Sequence, residues 1–272
     1  DLSQAYSACR EAVIARRNAF AKPFAQALVQ WNAQKPAPEG RIIPLESVLE
    51  HVLAPIAAAH PTLLLVMDGL STSIFRELFA RIASQGWAEM VPSSLGQPLA
   101  GVAALPTITE VSRASLLCGR LTVGASAQEK TGFATNAALL AHSRADAPPR
   151  LFHKGDLADA TNLAPEVRAA IASTQQRVVG VVYNAVDLRL LQPLLREARE
   201  ARRVVVITAD HGHLLEDGTT QLPGGESDRW RPGKNAETPN ELAVSGGRVV
   251  TSDGSNAVVC LWGESTRYAG RK

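Results

Sequence analysis

Three aspartates stand at or just beyond the ends of apolar runs. Asp68 closes TLLLVMD, Asp187 closes RVVGVVYNAVD, and Asp210 follows RVVVITA. His211 comes directly after Asp210, and His213 two residues later, within TADHGH (208–213). Taken singly, an aspartate at a strand end serves as a helix N-cap or turn former. Three that converge on one sheet edge repel one another unless a cation neutralises them. Carboxylate oxygens with an imidazole or two suit zinc, manganese or magnesium.

A second group lies in LPTITEVSRASLLCG (105–119). Thr107 and Glu110 fit a capping box, which predicts a helix running to Cys118 with Gly119 beyond its end. Thr109 then falls in the first turn, among unpaired backbone N–H groups at the positive end of the helix, where phosphate binds. Beside a metal, such a hydroxyl can be ionised and act as a nucleophile. Further along, GGESDRWRPGK (224–234) sets Arg229, Arg231 and Lys234 around Trp230. It reads either as a solvated loop or as a clamp for phosphate and DNA, because guanidinium groups pair with phosphate and Trp stacks on bases. His153 and Lys154 are another pair for substrate phosphate. His51, His60 and His142 read as structural or exposed.

The elements that must position these groups alternate between strand and helix. Residues 3–34 read as helical, with Pro23 restarting the helix at a first-turn position. KPAPEG (35–40) is a linker, and Leu45 to His60 a second helix. TLLLVMDG (62–69) reads as a strand buried on both faces. Ser71 to Gly86 is an amphipathic helix with Ile74, Leu78, Phe79 and Ile82 inside. RVVGVVYNAVD (177–187) and RVVVITADHG (203–212) are strands separated by a helix from Pro193 to Arg202, and RVVTS and AVVCLW are two more strands. The pattern predicts an α/β fold, a mainly parallel sheet sandwiched by helices. Residues 213–247, rich in Gly, Pro and charge, read as a long loop near the site.

The chain's 272 residues are ample for a sizeable core. A formal charge of +2 gives no overall basic field of the kind that announces nucleic acid. Three scattered cysteines without a CxxC pair suggest a reducing compartment and no disulfide framework. No apolar stretch is long enough to span a bilayer, so no membrane is expected as a partner. The chain starts at Asp1 and enters a helical pattern at once, which leads us to expect a domain of a longer polypeptide.

Four motifs taken together, MDG (67–69), PTIT (106–109), NAVD (184–187) and TADHGH (208–213), resemble the PglZ domain, a branch of the alkaline phosphatase superfamily that belongs to BREX-type phage-exclusion systems. EKTGFA (129–134) and LFHKGDL (151–157) resemble that branch too, and the likeness spans roughly residues 60–262. It implies an alkaline-phosphatase-like core over 61–272, preceded by a short helical segment and linker over 1–60. It also implies a cytoplasmic, metal-dependent phosphodiesterase or nuclease, with DNA or another phosphodiester as substrate and other BREX proteins as partners. Phosphomonoester hydrolysis and a non-catalytic metal-binding scaffold are the alternatives. By the same resemblance, Asp68, Asp210 and His211 bind one zinc or manganese ion bridged to the nucleophile Thr109, and Asp187 anchors a second. Hydrolases of the superfamily usually carry a histidine one turn after the residue matching Asp187 and another far downstream. Here LRLLQP follows Asp187, and no histidine follows His213. His213, Glu226 and Asp228 are left to complete a second site, with His213 equally suited to orienting a ligand from behind.

Overall fold

The structure, a computed structural model, describes residues 1–34, 40–159, 162–184, 190–212 and 218–269. The chain divides into two compact units, Ala37–His213 and Asp1–Pro36 with Leu214–Lys272. This cuts the chain elsewhere than the expected boundary near residue 60. The reason lies in packing: Leu45, Leu49 and Leu53 are buried in the same core as the strand that follows them.

Ala37–His213 is built on a four-stranded, all-parallel sheet. Its order is Arg150–Phe152, Val178–Asn184, Thr62–Asp68, Val204–Thr208. Thr62–Asp68 is central and buried from Thr62 to Met67. Successive side chains of a strand point to opposite faces, and the core divides accordingly. Leu63, Leu65 and Met67 join Val179, Val181 and Tyr183 in one cluster with Leu78, Ile82, Val167, Ile171, Leu194 and Leu195. Leu64 and Val66 join Val178 and Val182 on the other face with Leu49, Leu53, Leu116, Leu117, Phe133 and Leu139. Helices thus cover both faces, and each fully buried leucine contributes about 1.5–3 kcal/mol. Such double covering is what an unbroken apolar run implies.

The helix expected over 71–86 spans Thr72–Ala83, capped by Ser71, whose hydroxyl accepts from Ile74 N–H; Leu78 and Ile82 are buried. The one expected over 45–60 is three helical pieces, Leu45–Ser47, Leu49–Leu53 and Ala54–Ala59. The middle piece is a wide π turn just before Pro55, a residue that has no N–H for the regular ladder.

In the other unit, Leu2–Ala33 is one continuous helix with Pro23 inside it, so the expected restart does not occur. The helix packs on Glu241–Ser245, an edge strand of an antiparallel sheet ordered Trp230–Pro232, Ala257–Leu261, Glu241–Ser245. AVVCLW therefore supplies a strand, but an antiparallel one outside the parallel sheet. RVVTS forms no strand; Glu241–Ser245 takes that place. The described part of 213–247 likewise holds three short strands, including Thr220–Leu222, which pairs with Thr266–Tyr268. No helix of the described residues is long and apolar enough to cross a membrane.

Candidate metal centre

Parallel strands all end on the same side of a sheet, and open α/β sheets collect ligands there. Val66 lies opposite Thr208 across the two neighbouring strands. Asp68 and Asp210, each two residues further on, therefore leave the sheet at the same level. Behind Asp68 the chain turns sharply: Leu70 N–H donates to Met67 O at 3.2 Å, and Gly69 takes φ +72°, where a side chain would be strained. The turn aims Gly69 N–H at Asp210 Oδ1, 3.3 Å away, and His211 N–H donates to the same oxygen at 2.9 Å.

One oxygen of Asp210 is thus held by two backbone donors. The other, Oδ2, is buried without a hydrogen bond, and the residue as a whole is inaccessible to solvent. Burial, the largest influence, raises its pKa above the usual 3.8 and Asp68 adds to the rise; His211 and the two backbone donors oppose it. His211 faces this bare oxygen. Its Nε2 lies 3.6 Å from Asp210 Oδ2, 3.3 Å from Asp68 Oδ1 and 3.2 Å from Thr109 Oγ1. Its Nδ1 is 3.0 Å from Gly212 O. A carbonyl only accepts, so Nδ1 carries a proton and donates it to Gly212 O, which leaves Nε2 as the ring atom that faces both carboxylates.

One ligand atom each from Asp68, Asp210 and His211 lies within 4.8 Å of the others. An unpartnered buried carboxylate oxygen, a second carboxylate and an imidazole nitrogen brought together are a donor set that could hold a metal ion. Among the described residues this is the one cluster of its kind.

Thr109 opens a helical run of Thr109–Arg113 and Ala114–Cys118, which ends at Gly119 with φ +65°. The expected capping box is not formed. Ile108 is the N-cap, with no side-chain cap, and Thr107 and Glu110 are exposed. The helix starts one residue later than a Thr107 cap requires, and Ile108 O accepts from Ser112 N–H at 2.8 Å in its first turn. Thr109 keeps its expected place in the first turn and reaches His211.

Arg113, one turn after Thr109 and hence on the same face, was not singled out by sequence reasoning. Its Nη1 donates to Asp68 Oδ2 at 3.1 Å, and its Nε to both oxygens of Glu129 at 3.0 and 3.2 Å. Glu129 is fully buried on the helix Ser126–Ala134, and His153 Nε2 lies 2.5 Å from its Oε2. The four-residue spacing from Thr109 and the acid within EKTGFA were the available signals; only the fold joins them.

Of the remaining expected ligands, Asp187 and His213 lie outside the described residues. His153 faces Glu129, while Lys154 beside it is exposed. Arg229, Arg231, Glu226 and Asp228 belong to the other unit. Arg229 donates to three carbonyls, those of Thr266, Leu261 and Gly263, and Arg231 pairs with Glu241 through Nε at 2.8 Å and Nη2 at 3.0 Å. Both guanidinium groups are occupied in holding the antiparallel sheet together. Compared with protein-family models and with curated proteins, the chain matches none.

Proposed function

We propose that the chain is a metal-dependent phosphoric ester hydrolase domain of PglZ type, with an alkaline-phosphatase-like core, that acts on phosphodiesters such as DNA. The observation carrying this reading is the meeting of Asp68, Asp210, His211 and Thr109 at one sheet edge, with Asp210 Oδ2 buried and unpartnered. Asp68, Asp210 and His211 would hold a zinc or manganese ion, which supplies Lewis-acid stabilisation of phosphoryl charge. Gly69 and His211 N–H fix the Asp210 carboxylate, and the Gly212 carbonyl fixes the His211 ring. Thr109 is the nucleophile: its oxygen bonds to phosphorus as one P–O ester bond breaks, the hydroxyl proton ends on the departing alcohol, and water later cleaves the threonine-linked ester to release a phosphomonoester and restore the hydroxyl.

Charge favours the diester. Arg113, the guanidinium beside the cluster, is shared between Asp68 and Glu129, so little positive charge is left for a dianionic monoester. A diester carries a single negative charge. The test is kcat/KM for bis-aryl and mono-aryl phosphates with zinc or manganese, alongside metal analysis of the intact protein and Asp210→Ala. We expect preference for the diester and loss of bound metal in the variant. Monoester preference refutes the diester assignment, and bound metal without turnover of either ester points to the scaffold.

A further inference from the structure

The Arg113–Glu129–His153 chain is not needed to place any metal ligand in the sheet, yet it ends on one. A guanidinium next to a carboxylate ordinarily pairs with both oxygens at once. Were Arg113 to do so, it would compete with a cation at both Asp68 oxygens. The observed geometry is different. Glu129 takes Nε with both of its oxygens, and Nη1 reaches one Asp68 oxygen, Oδ2. Asp68 Oδ1 stays turned toward His211 Nε2. Glu129 is itself held from behind, since His153 Nε2 donates to Oε2. The backbone N–H of His153 in turn donates to Asp156 Oδ2 at 2.8 Å, and Lys130 Nζ lies 2.7 Å from that same oxygen.

We propose that Glu129 and His153 are positioning residues for the metal centre. They hold Arg113 in single-oxygen contact with Asp68, and so keep the other Asp68 oxygen open for the cation. The inference rests on the metal-centre reading above. A fully buried carboxylate with both oxygens engaged, two links away from the ligand it serves, has the character of the supporting groups that tune metal sites.

The test is zinc affinity of the whole chain, measured by competition with a chromophoric chelator, with near-ultraviolet circular dichroism of each zinc-free variant as the check on folding. Glu129→Gln keeps the shape but releases Arg113 to close on Asp68, and zinc affinity should fall by about 10- to 100-fold. His153→Ala should fall in the same direction, whereas His153→Gln, which still offers a donor to Glu129, should stay near the parent. The double variant Arg113→Gln/Glu129→Gln removes the competing guanidinium and should recover most of the loss. A purely structural role for Glu129 predicts no recovery, and that result overturns the proposal. So does a folded Glu129→Gln protein with parental affinity while Asp210→Ala has lost zinc, an outcome that leaves the metal centre intact. A parent chain that binds no zinc removes both readings together.

Discussion

Asp210 sits at the site fully buried, with one carboxylate oxygen unpartnered. A carboxylate with one oxygen buried and unpartnered is costly when ionised, and burial is what raises its pKa. The sign follows directly. A folded-state pKa above the unfolded value contributes stability that is complete below the unfolded pKa and is lost as pH rises through the folded one. The metal-free protein at neutral pH is therefore on the unfavourable side of this titration. Asp210→Asn should raise the Tm of the metal-free protein at pH 7 and, by removing a ligand, abolish stabilisation by zinc. In the parent, zinc at a hundred times its Kd should add about 2.7 kcal/mol. Scanning calorimetry with EDTA and with zinc reads both effects, and an unchanged response to zinc in the variant would falsify the ligand assignment. Thr109 behaves differently, because its hydroxyl is placed to attack phosphorus and is not among the three clustered ligand atoms. Thr109→Ala should keep its metal and lose turnover of an activated diester by several orders of magnitude, as nucleophile removal does. Thr107, exposed and not a cap, should be replaceable by alanine with a change within about 0.5 kcal/mol.

At the scale of elements, the spacing between Arg113 and Glu129 depends on how closely their two helices approach. Gly132, one turn after Glu129 on Ser126–Ala134, lies directly against Cys118, the last residue of Ala114–Cys118. An added Cβ would collide with its Sγ and lie 3.0 Å from its Cα. Here glycine is required by proximity, since its backbone angles are ordinary. Gly132→Ala should force the helices apart and cost about 1–3 kcal/mol, as overpacking does. It should also weaken zinc binding through the Arg113–Glu129 link, although it touches no ligand. Urea unfolding and the chelator competition together test this; a loss of stability with zinc affinity intact would separate helix packing from the site. Gly180 meets the same constraint from the sheet side, where an added Cβ would lie 2.7 Å from Leu151 and 3.0 Å from Phe133.

For the molecule as a whole, the two units carry different groups that the sequence offered to one site. Asp68, Asp210 and His211 lie in Ala37–His213, whereas Arg229 and Arg231 lie in the unit formed by the chain's two ends. Arg229→Ala would strand three carbonyl acceptors and cost about 3 kcal/mol, while zinc affinity should be unchanged. Arg231 holds Glu241, whose pKa is lowered from 4.5 to about 2, chiefly by that guanidinium, with help from Tyr268 and the N–H groups of Glu237 and Thr238. A depressed carboxylate contributes stability that is present above the unfolded pKa and lost as pH falls through the folded one. This unit should therefore lose on the order of 3 kcal/mol between pH 5 and 2. Arg231→Ala should flatten that acid limb, as followed by the fluorescence of Trp230, Trp262 and Trp31. A variant with parental acid sensitivity would show that the pair contributes little.

The sequence by itself determined the core strands and the residue types at their ends. An unbroken run such as LLLVM, short and bounded by turn residues, suits a strand covered on both faces, and TADHGH announces its donors by residue type. Thr109 was also legible, because a position in a first turn depends only on nearby residues. Arg113, Glu129 and His153 were not. They come from three elements that converge through helix packing, and a four-residue spacing or a lone glutamate carries no record of what lies across the interface. The arginines around Trp230 misled for the opposite reason. A guanidinium in a Gly- and Pro-rich stretch looks free for phosphate, and only the tertiary structure supplies the carbonyls and the carboxylate that occupy it. The same holds for AVVCLW, since β periodicity fixes which face of a strand is buried, while the partner strand and its direction depend on the rest of the chain.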